Sequence, residues 1–215
     1  VSYGNYHWYS AQLTDQTMEQ TQQIIEQAGS NINTYINELY RLTLTPYYND
    51  ELLHTLEQTA TSPQQQLEFK RVVEGFLASV MSLPRSEILR VYIMNDTALY
   101  SYTRTPYEMA EYNNYLESDW YNQACATTDP ILLPPRLERV YGDDLTPIFS
   151  VVRQLRSKED NDITLGVVKV DANYTGIRNI CDQVDLDAGG SLLIINEQNQ
   201  ILYSSGALLQ ELDAE

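Results

Sequence analysis

The sequence predicts an α+β fold, on three observations. A Pro-free stretch from Ser10 to Leu44 carries apolar residues at helical spacing, and after Pro84 the period changes from 3.6 to 2. Two strand-like runs, Thr146 to Arg156 and Ile163 to Ala172, then face each other across the charged turn Lys158-Glu159-Asp160-Asn161-Asp162.

In the first stretch Met18, Ile25, Ala28, Ile32, Ile36, Leu39 and Leu42 recur at intervals of three, four and seven, which predicts one long helix. At 1.5 Å per residue it would span about 50 Å. Its first half is crowded with Thr, Gln and acidic residues, so that half is expected to be a solvated stalk or a dimer seam, loosened locally at Gly29-Ser30. After Pro46, Asp50 is expected to cap a short helix carrying Leu52, Leu53 and Leu56. Ser62-Pro63-Gln64-Gln65 opens a second helix, as N-cap, first-turn Pro and capping-box Gln, which runs to about Ser82. Leu89 to Met94, the polar pair Asn95-Asp96 and Leu99 to Thr103 then read as a β-hairpin.

A Tyr-rich irregular stretch from Pro106 to Leu116 precedes a helix capped by Ser118 and containing Asp119, Trp120, Tyr121, Ala124 and Cys125. Pro130, Pro134 and Pro135 predict a loop with at most an edge strand, because Pro cannot donate to a ladder. Thr146 to Arg156 and Ile163 to Ala172 are expected to be central. Asn173 caps a helix through Val184, Asp187-Ala188-Gly189-Gly190 breaks the chain, and a last hairpin joins Ser191–Ile195 to Ile201–Ser204. A lone hairpin is marginal in water, so this segment is expected to be the opening of a second, incomplete module related to the first. The expected organisation is a stalk over 1–45, a module over 46–184 and a partial module over 185–215.

Composition excludes several functions. With 215 residues, 13 basic and 30 acidic side chains, the formal charge is −17, which opposes nucleic acid and anionic lipid. No apolar run approaches the roughly 18 residues of a membrane span, and Val1 to Ser10 lacks the features of a signal peptide. The 17 Tyr against 3 Phe and 2 Trp suit wet grooves and sugar or amphiphile contacts, or a phenol-for-phenyl habit in an exported protein. Cys125 and Cys181 form either one bridge or two small buried apolar positions.

The search for catalysis is negative. His7 and His54 sit in no metal motif, and no nucleophile elbow or phosphate loop occurs. No cofactor and no metal are expected; Asp143-Asp144 and Asp160-Asn161-Asp162 read as solvated turns rather than a cation loop. A different set stands out. Tyr100, Tyr102 and Arg104 alternate and so share one strand face. Arg153 interrupts the apolar row Phe149, Val151 and Leu155, and Asp171 ends the next strand. A charge on a covered sheet face needs a counter-charge or a ligand. Trp120 and Tyr121 read equally as core or as pocket lining.

The order of these segments resembles a known family. The long helix, the Pro-bounded helix, the hairpin, Asp119-Trp120-Tyr121-Asn122-Gln123-Ala124, Ile148-Phe149-Ser150-Val151-Val152-Arg153 and Leu165-Gly166-Val167-Val168-Lys169-Val170-Asp171 together resemble a double Cache domain. Such domains are extracytoplasmic sensors with two PAS-like modules on one long helix, found in bacterial histidine kinases and chemoreceptors. Ser30-Asn31-Ile32 to Leu39-Tyr40-Arg41 resembles the Gram-positive sensor histidine kinases associated with carbohydrate uptake or breakdown. The resemblance implies a ligand site in the distal module, with Trp120 and Tyr121 as walls and Asp171 as polar anchor. Amino-acid-binding members carry Arg-x-Trp-Tyr, the Arg holding the ligand carboxylate, whereas Ser118 stands at that position here.

With many Tyr, a polyacidic surface and that Arg missing, a neutral or sugar-like ligand is expected. The candidate ligand-binding residues are Trp120, Tyr121, Tyr100, Tyr102, Arg104, Tyr141, Arg153 and Asp171, with Tyr100, Arg153, Trp120 and Asp171 facing one cavity. A homodimer through the long helix is a further expected partner. The alternative function is docking of a ligand-loaded extracellular solute-binding protein on the Tyr surface around Tyr107, Tyr112 and Tyr115.

Overall fold

The computed structural model describes residues 3–83, 85–104, 114–141, 144–184, 192–196 and 200–204. The fold is α+β. The described residues fall into two compact units, one drawn from residues up to 36 and from 176 onward, the other from 37 to 175.

Helix α1 is Tyr3–Leu42, starting earlier than its apolar stripe does and running unbroken through Gly29-Ser30. The expected loosening at that pair is absent, since each residue there keeps helical hydrogen bonding. Ala28, Ile32, Ile36, Leu39 and Leu42 are buried, while Ile24 and Ile25 in the polar half stay 41% exposed. In the first unit α1 is joined by α5 (Thr175–Cys181) and by the two-stranded hairpin β6 (Leu193–Ile195) and β7 (Ile201–Ser204). The Tyr203 hydroxyl donates to Asp182 Oδ1 at 3.0 Å. Both cysteines are free thiols.

The second unit holds α2 (Asp50–Leu56), α3 (Pro63–Met81) and α4 (Asp119–Ala126). Its strands are β1 (Ile88–Met94), β2 (Leu99–Thr103), β3 (Ile131–Tyr141), β4 (Asp144–Arg156) and β5 (Thr164–Asn173). The cap of α2 is Asn49, whose side chain accepts from Leu52 N at 2.9 Å, so Asp50 is the first helical residue rather than the cap. Ser62 does cap α3, accepting from Gln65 N at 3.3 Å, but Gln65 Oε1 reaches back to Thr61 N at 2.9 Å instead of Ser62. Ser118 stands at the N-cap of α4 with its hydroxyl turned away, donating to Tyr115 O at 2.5 Å.

The sheet order is β2-β1-β5-β4-β3 and every pairing is antiparallel. Asn95 forms the β1–β2 turn, accepting from Thr97 N and Ala98 N. The Pro-marked segment forms an 11-residue edge strand, β3. It tolerates Pro134-Pro135 because the register shifts there, between Leu133 and Arg136, and because only one side of an edge strand needs donors. Gly166 in β5 has φ +150°, and a Cβ there would lie 2.5 Å from Met94 O, so both backbone angle and space require glycine.

Residues directly opposite one another in a sheet share a face, so register assigns the faces. Arg90, Tyr92, Met94, Ser150, Val152, Gln154, Val167, Lys169 and Asp171 point one way. Val91, Ile93, Phe149, Val151, Arg153, Leu155, Val168, Val170 and Ala172 point the other. Helix α3 packs on β1 and β2, and α2 on β5, covering the second face. Helix α4 covers the first: Tyr121 and Ala124 join Tyr92, Met94, Val152 and Val167 in one apolar cluster. Among the described residues no helix is long and apolar enough to cross a membrane.

Candidate functional site

Under α4 the first face ends in a buried cluster of charge. Asp171 and Lys169 are two apart on β5, so they lie on the same side, and both side chains are 0% exposed. Lys169 Nζ lies 2.9 Å from Asp171 Oδ1. From β1, directly opposite, Arg90 donates through Nε to Asp171 Oδ2 at 3.0 Å. From β4, the Ser150 hydroxyl donates to Asp171 Oδ1 at 2.5 Å and accepts from Arg136 Nη2 at 2.8 Å. From β3, Glu138 accepts from Arg136 Nε at 2.7 Å and from Arg90 Nη2.

Two aromatic rings close the cluster. Lys169 Nζ sits 4.9 Å from the centre of the Tyr92 ring and 5.5 Å from that of Trp120, and Arg90 lies over Tyr92 as well. Cations over ring faces are attracted by the ring quadrupole, most strongly where water is excluded. Gln154 fixes α4 above the sheet by donating to Cys125 O at 2.8 Å and to Thr164 Oγ1 at 2.7 Å.

Burial pushes the Asp171 carboxyl up, but Lys169, Arg90 and Arg136, together with the Ser150 hydrogen bond, outweigh it and hold the group well below the usual carboxylate range. Burial likewise works against the Arg90 charge, and Asp171, Tyr92 and Glu138 overcome it, so Arg90 is held more firmly protonated than a free guanidinium. The Tyr121 phenol is raised by burial and by Cys125, which keeps it a neutral hydroxyl. Among the described residues the cluster links the cations Arg90, Arg136 and Lys169 to the carboxylates Asp171 and Glu138. It grades from sealed to open: Asp171 and Lys169 form the floor, and Arg136 and Glu138, at 29% and 21% side-chain exposure, form the rim.

The sheet brings together three of the residues proposed from sequence, Trp120, Tyr121 and Asp171. Trp120 faces the cluster. Tyr121 is buried in the apolar packing, edge-on to Tyr115 at 5.3 Å and to Trp120 at 5.9 Å. The expected single cavity shared by Tyr100, Arg153, Trp120 and Asp171 is not formed. Tyr100 and Tyr102 pair with Ile93 and Val91 and so lie on the α3 face, where Tyr100 is raised by burial and by Glu74. Arg104 donates to the carbonyls of Met81 and Arg85 at 3.1 and 2.9 Å.

Arg153 also points to the helix face, donating to Thr43 Oγ1 at 2.9 Å and to Thr128 O at 3.2 Å. The even–odd alternation of antiparallel strands forces this division, since Ser150 and Arg153 differ by an odd number of residues. The Tyr141 side chain lies outside the described residues, as do Tyr107 and Tyr112 of the suggested docking surface. Tyr115 turns inward, donating to Asn95 O at 2.5 Å.

Sequence reasoning missed Arg90, Tyr92, Arg136, Glu138, Ser150 and Lys169. Arg90 and Lys169 carried a signal: each interrupts an apolar strand two residues from another member of the same face, Tyr92 and Asp171. Arg136 and Glu138 carried none, because they follow Pro134-Pro135 in a segment that reads as loop.

Several solved structures of similar fold are sensory or ligand-binding domains of bacterial chemoreceptors. The sensory domain of the Campylobacter jejuni chemoreceptor Tlp3 aligns with a TM-score of 0.63 at 16% identity, over 94% of this chain and 76% of that one. The same domain with isoleucine bound aligns at 0.59 and 15% identity, over the same shares. The ligand-binding domain of the Pseudomonas aeruginosa amino-acid chemoreceptor PctC, in complex with GABA, aligns at 0.52 and 17% identity, over 84% of this chain and 72% of that one. At such identities the likeness is one of fold. No match is found among curated proteins. The profile of the Cache domain, in its double form, matches residues 9–213, nearly the whole length, and the chain belongs to the Cache domain family.

Proposed function

We propose that this chain is the extracytoplasmic ligand-sensing part of a transmembrane receptor, and that its ligand is a small molecule bound between the five-stranded sheet and α4. One observation carries the reading: a buried network of charged side chains walled by Trp120 and Tyr92, on the sheet face of a Cache domain. A structural core gains little from such a cluster, because burying charge costs several kcal/mol per ion before pairing returns it. A binding site gains specificity from it.

The module over 46–184 holds the whole cluster and is read as the membrane-distal, ligand-binding one. Histidine-kinase output is inferred from the resemblance of residues 30–41, and pairing of two copies along α1 from its thin apolar stripe with Ile24 and Ile25 exposed. The ligand of Tlp3 and of PctC in the solved complexes is an amine-bearing acid. Ser118 in place of Arg argues against simple transfer of that chemistry, and the buried charge favours a charged small molecule over the neutral or sugar-like one expected from the many Tyr, the acidic surface and the missing Arg together.

Binding to the folded state raises stability by RT ln(1 + [L]/Kd), about 2.7 kcal/mol at a hundredfold excess over Kd. Sugars, amino acids and amine-free carboxylates are therefore to be titrated while the melting temperature is followed. The expected result is an upward shift with one class, abolished by Trp120→Ala. Absence of any shift with all three classes sinks direct sensing.

A further inference from the structure

The first unit carries an open groove of about 390 Å³ along the polar half of α1. Gln20, Ile24, Gln27 and Asn31 form its near wall at spacings of four, three and four. The buried Ala28 lies at its floor, and Ile180 of α5 with Gln183 and Val184 beyond it form the far wall. The α1 spacing is that of an a/d seam, with Ile24 and Asn31 at a and Gln20 and Gln27 at d. A second helix of the same kind packs on such a seam, and a polar residue at one a position fixes its register.

Charge decides what can lie there. With a formal charge of −17, two copies of the chain repel over most of their surfaces. The groove is different, because no charged side chain lines it among the described residues. Between Gln20 and Asn37 the one charged residue is Glu26, which lies off the groove and accepts from Gln22 Nε2 at 2.9 Å. Depletion of charge marks the centre of a protein interface.

The amides point the same way. About a two-fold axis a residue can meet its own copy. A carboxylate repels its copy, whereas a carboxamide carries donors and an acceptor together and can pair with one. Gln27 donates to Asn31 Oδ1 at 2.9 Å, a bond that leaves both side chains with donor and acceptor capacity.

Deepening the proposed pairing along α1, and resting on it, we propose that this groove is the contact and that its occupant is α1 of a second copy. The two helices run parallel, as two receptors entering one membrane require. Gln27 and Asn31 face their own copies, Ile24 is covered, and Ile180 and Val184 flank the incoming helix.

Sedimentation equilibrium of the 215-residue chain, from micromolar to millimolar concentration, tests this. The expected result is a reversible rise from 24.7 kDa to twice that mass. Gln27→Glu keeps the shape at an exposed position and sets two like charges opposite one another, which is expected to weaken association about tenfold. Sodium chloride at about 1 M, where screening acts within about 3 Å, is expected to restore most of the loss. Asn33→Asp adds the same charge to an exposed position of α1 outside the groove and is expected to weaken association far less. Gln20→Glu, one heptad before Gln27, repeats the measurement should Gln27→Glu not fold. A dimer that the groove variants and Asn33→Asp weaken equally overturns the groove and leaves pairing elsewhere on α1 standing. A wild-type chain that stays at 24.7 kDa throughout overturns the groove and the pairing together, while the ligand titration still decides sensing. A monomer whose melting temperature glucose raises in the wild type and not in Gln27→Glu makes the groove a small-molecule site and overturns the proposal as well.

Discussion

The two faces of the five-stranded sheet come from the same strands and treat charge in opposite ways. On the α4 face, Asp171 is met by two arginines, a lysine and a hydroxyl drawn from β1, β3, β4 and β5 itself. On the α2–α3 face, Arg153 is half-buried among apolar residues and is satisfied by neutral oxygens of Thr43 and Thr128. A charge with neutral partners is a local fixture, whereas a network of charges fixes several strands at once and fails as a unit when one member is removed. Asp171→Asn keeps the shape and removes the negative charge that three cations share, and is expected to cost about 3–5 kcal/mol. Arg153→Met keeps most of the stem and removes two hydrogen bonds, for about 1–2 kcal/mol. Denaturant melts of the two variants compare the faces directly, and equal losses would remove the distinction.

Acid sharpens the same contrast. Asp171 titrates lower in the folded chain than in the unfolded one, so its contribution is present above the unfolded pKa and is lost as pH falls through the folded value. With an unfolded pKa of about 3.9, stability is expected to hold down to about pH 4 and then fall more steeply in the wild type than in Asp171→Asn. Parallel curves below about pH 4 would mean that Asp171 is not the group being protonated. Ser150→Ala removes the hydroxyl bridging Arg136 and Asp171 and leaves the charges in place. Its expected loss is about 1–3 kcal/mol, between those of Asp171→Asn and Arg153→Met, measurable in the same melts.

Patterning made the elements legible and left the site only half so. The long helix, the Ser62-Pro63 start, the Asn95 hairpin and the antiparallel β4–β5 pair all follow from local rules of period, capping and turn chemistry. Helix α1 begins before the apolar stripe that marks it in the sequence. Asp171 with Trp120 was legible because each stands out within its own element. The grouping of Arg153 with Asp171 failed because sequence gives the alternation within a strand but not the register between strands, and a shift of one residue exchanges the faces. Lys169 was hidden by its surroundings: a cation in an apolar strand reads as an interruption until the rings of Tyr92 and Trp120 are placed around it. Arg136 and Glu138 depend on the bulge at Leu133–Arg136, which turns a Pro-broken segment into an edge strand facing the cluster.

The smallest expected effect tests whether the faces are independent in function as well as in stability. Arg104 closes the C-terminal end of α3 by donating to the Met81 and Arg85 carbonyls, at a helix end where a cation contributes about 0.3–1 kcal/mol. Arg104→Ala should therefore lower the melting temperature slightly. Because Tyr100, Tyr102 and Arg104 share the face covered by α3, the same substitution should leave the ligand titration midpoint unchanged, whereas Trp120→Ala, which strips one wall from the Asp171 cluster, should abolish the titration. The pair separates two meanings of a candidate residue that alternation alone cannot distinguish, a side chain that caps a helix and one that lines a seat. A weakened ligand response in Arg104→Ala, with the melting temperature of the free domain unaltered, would place the ligand on the face covered by α2 and α3 and reverse the assignment of the two sides.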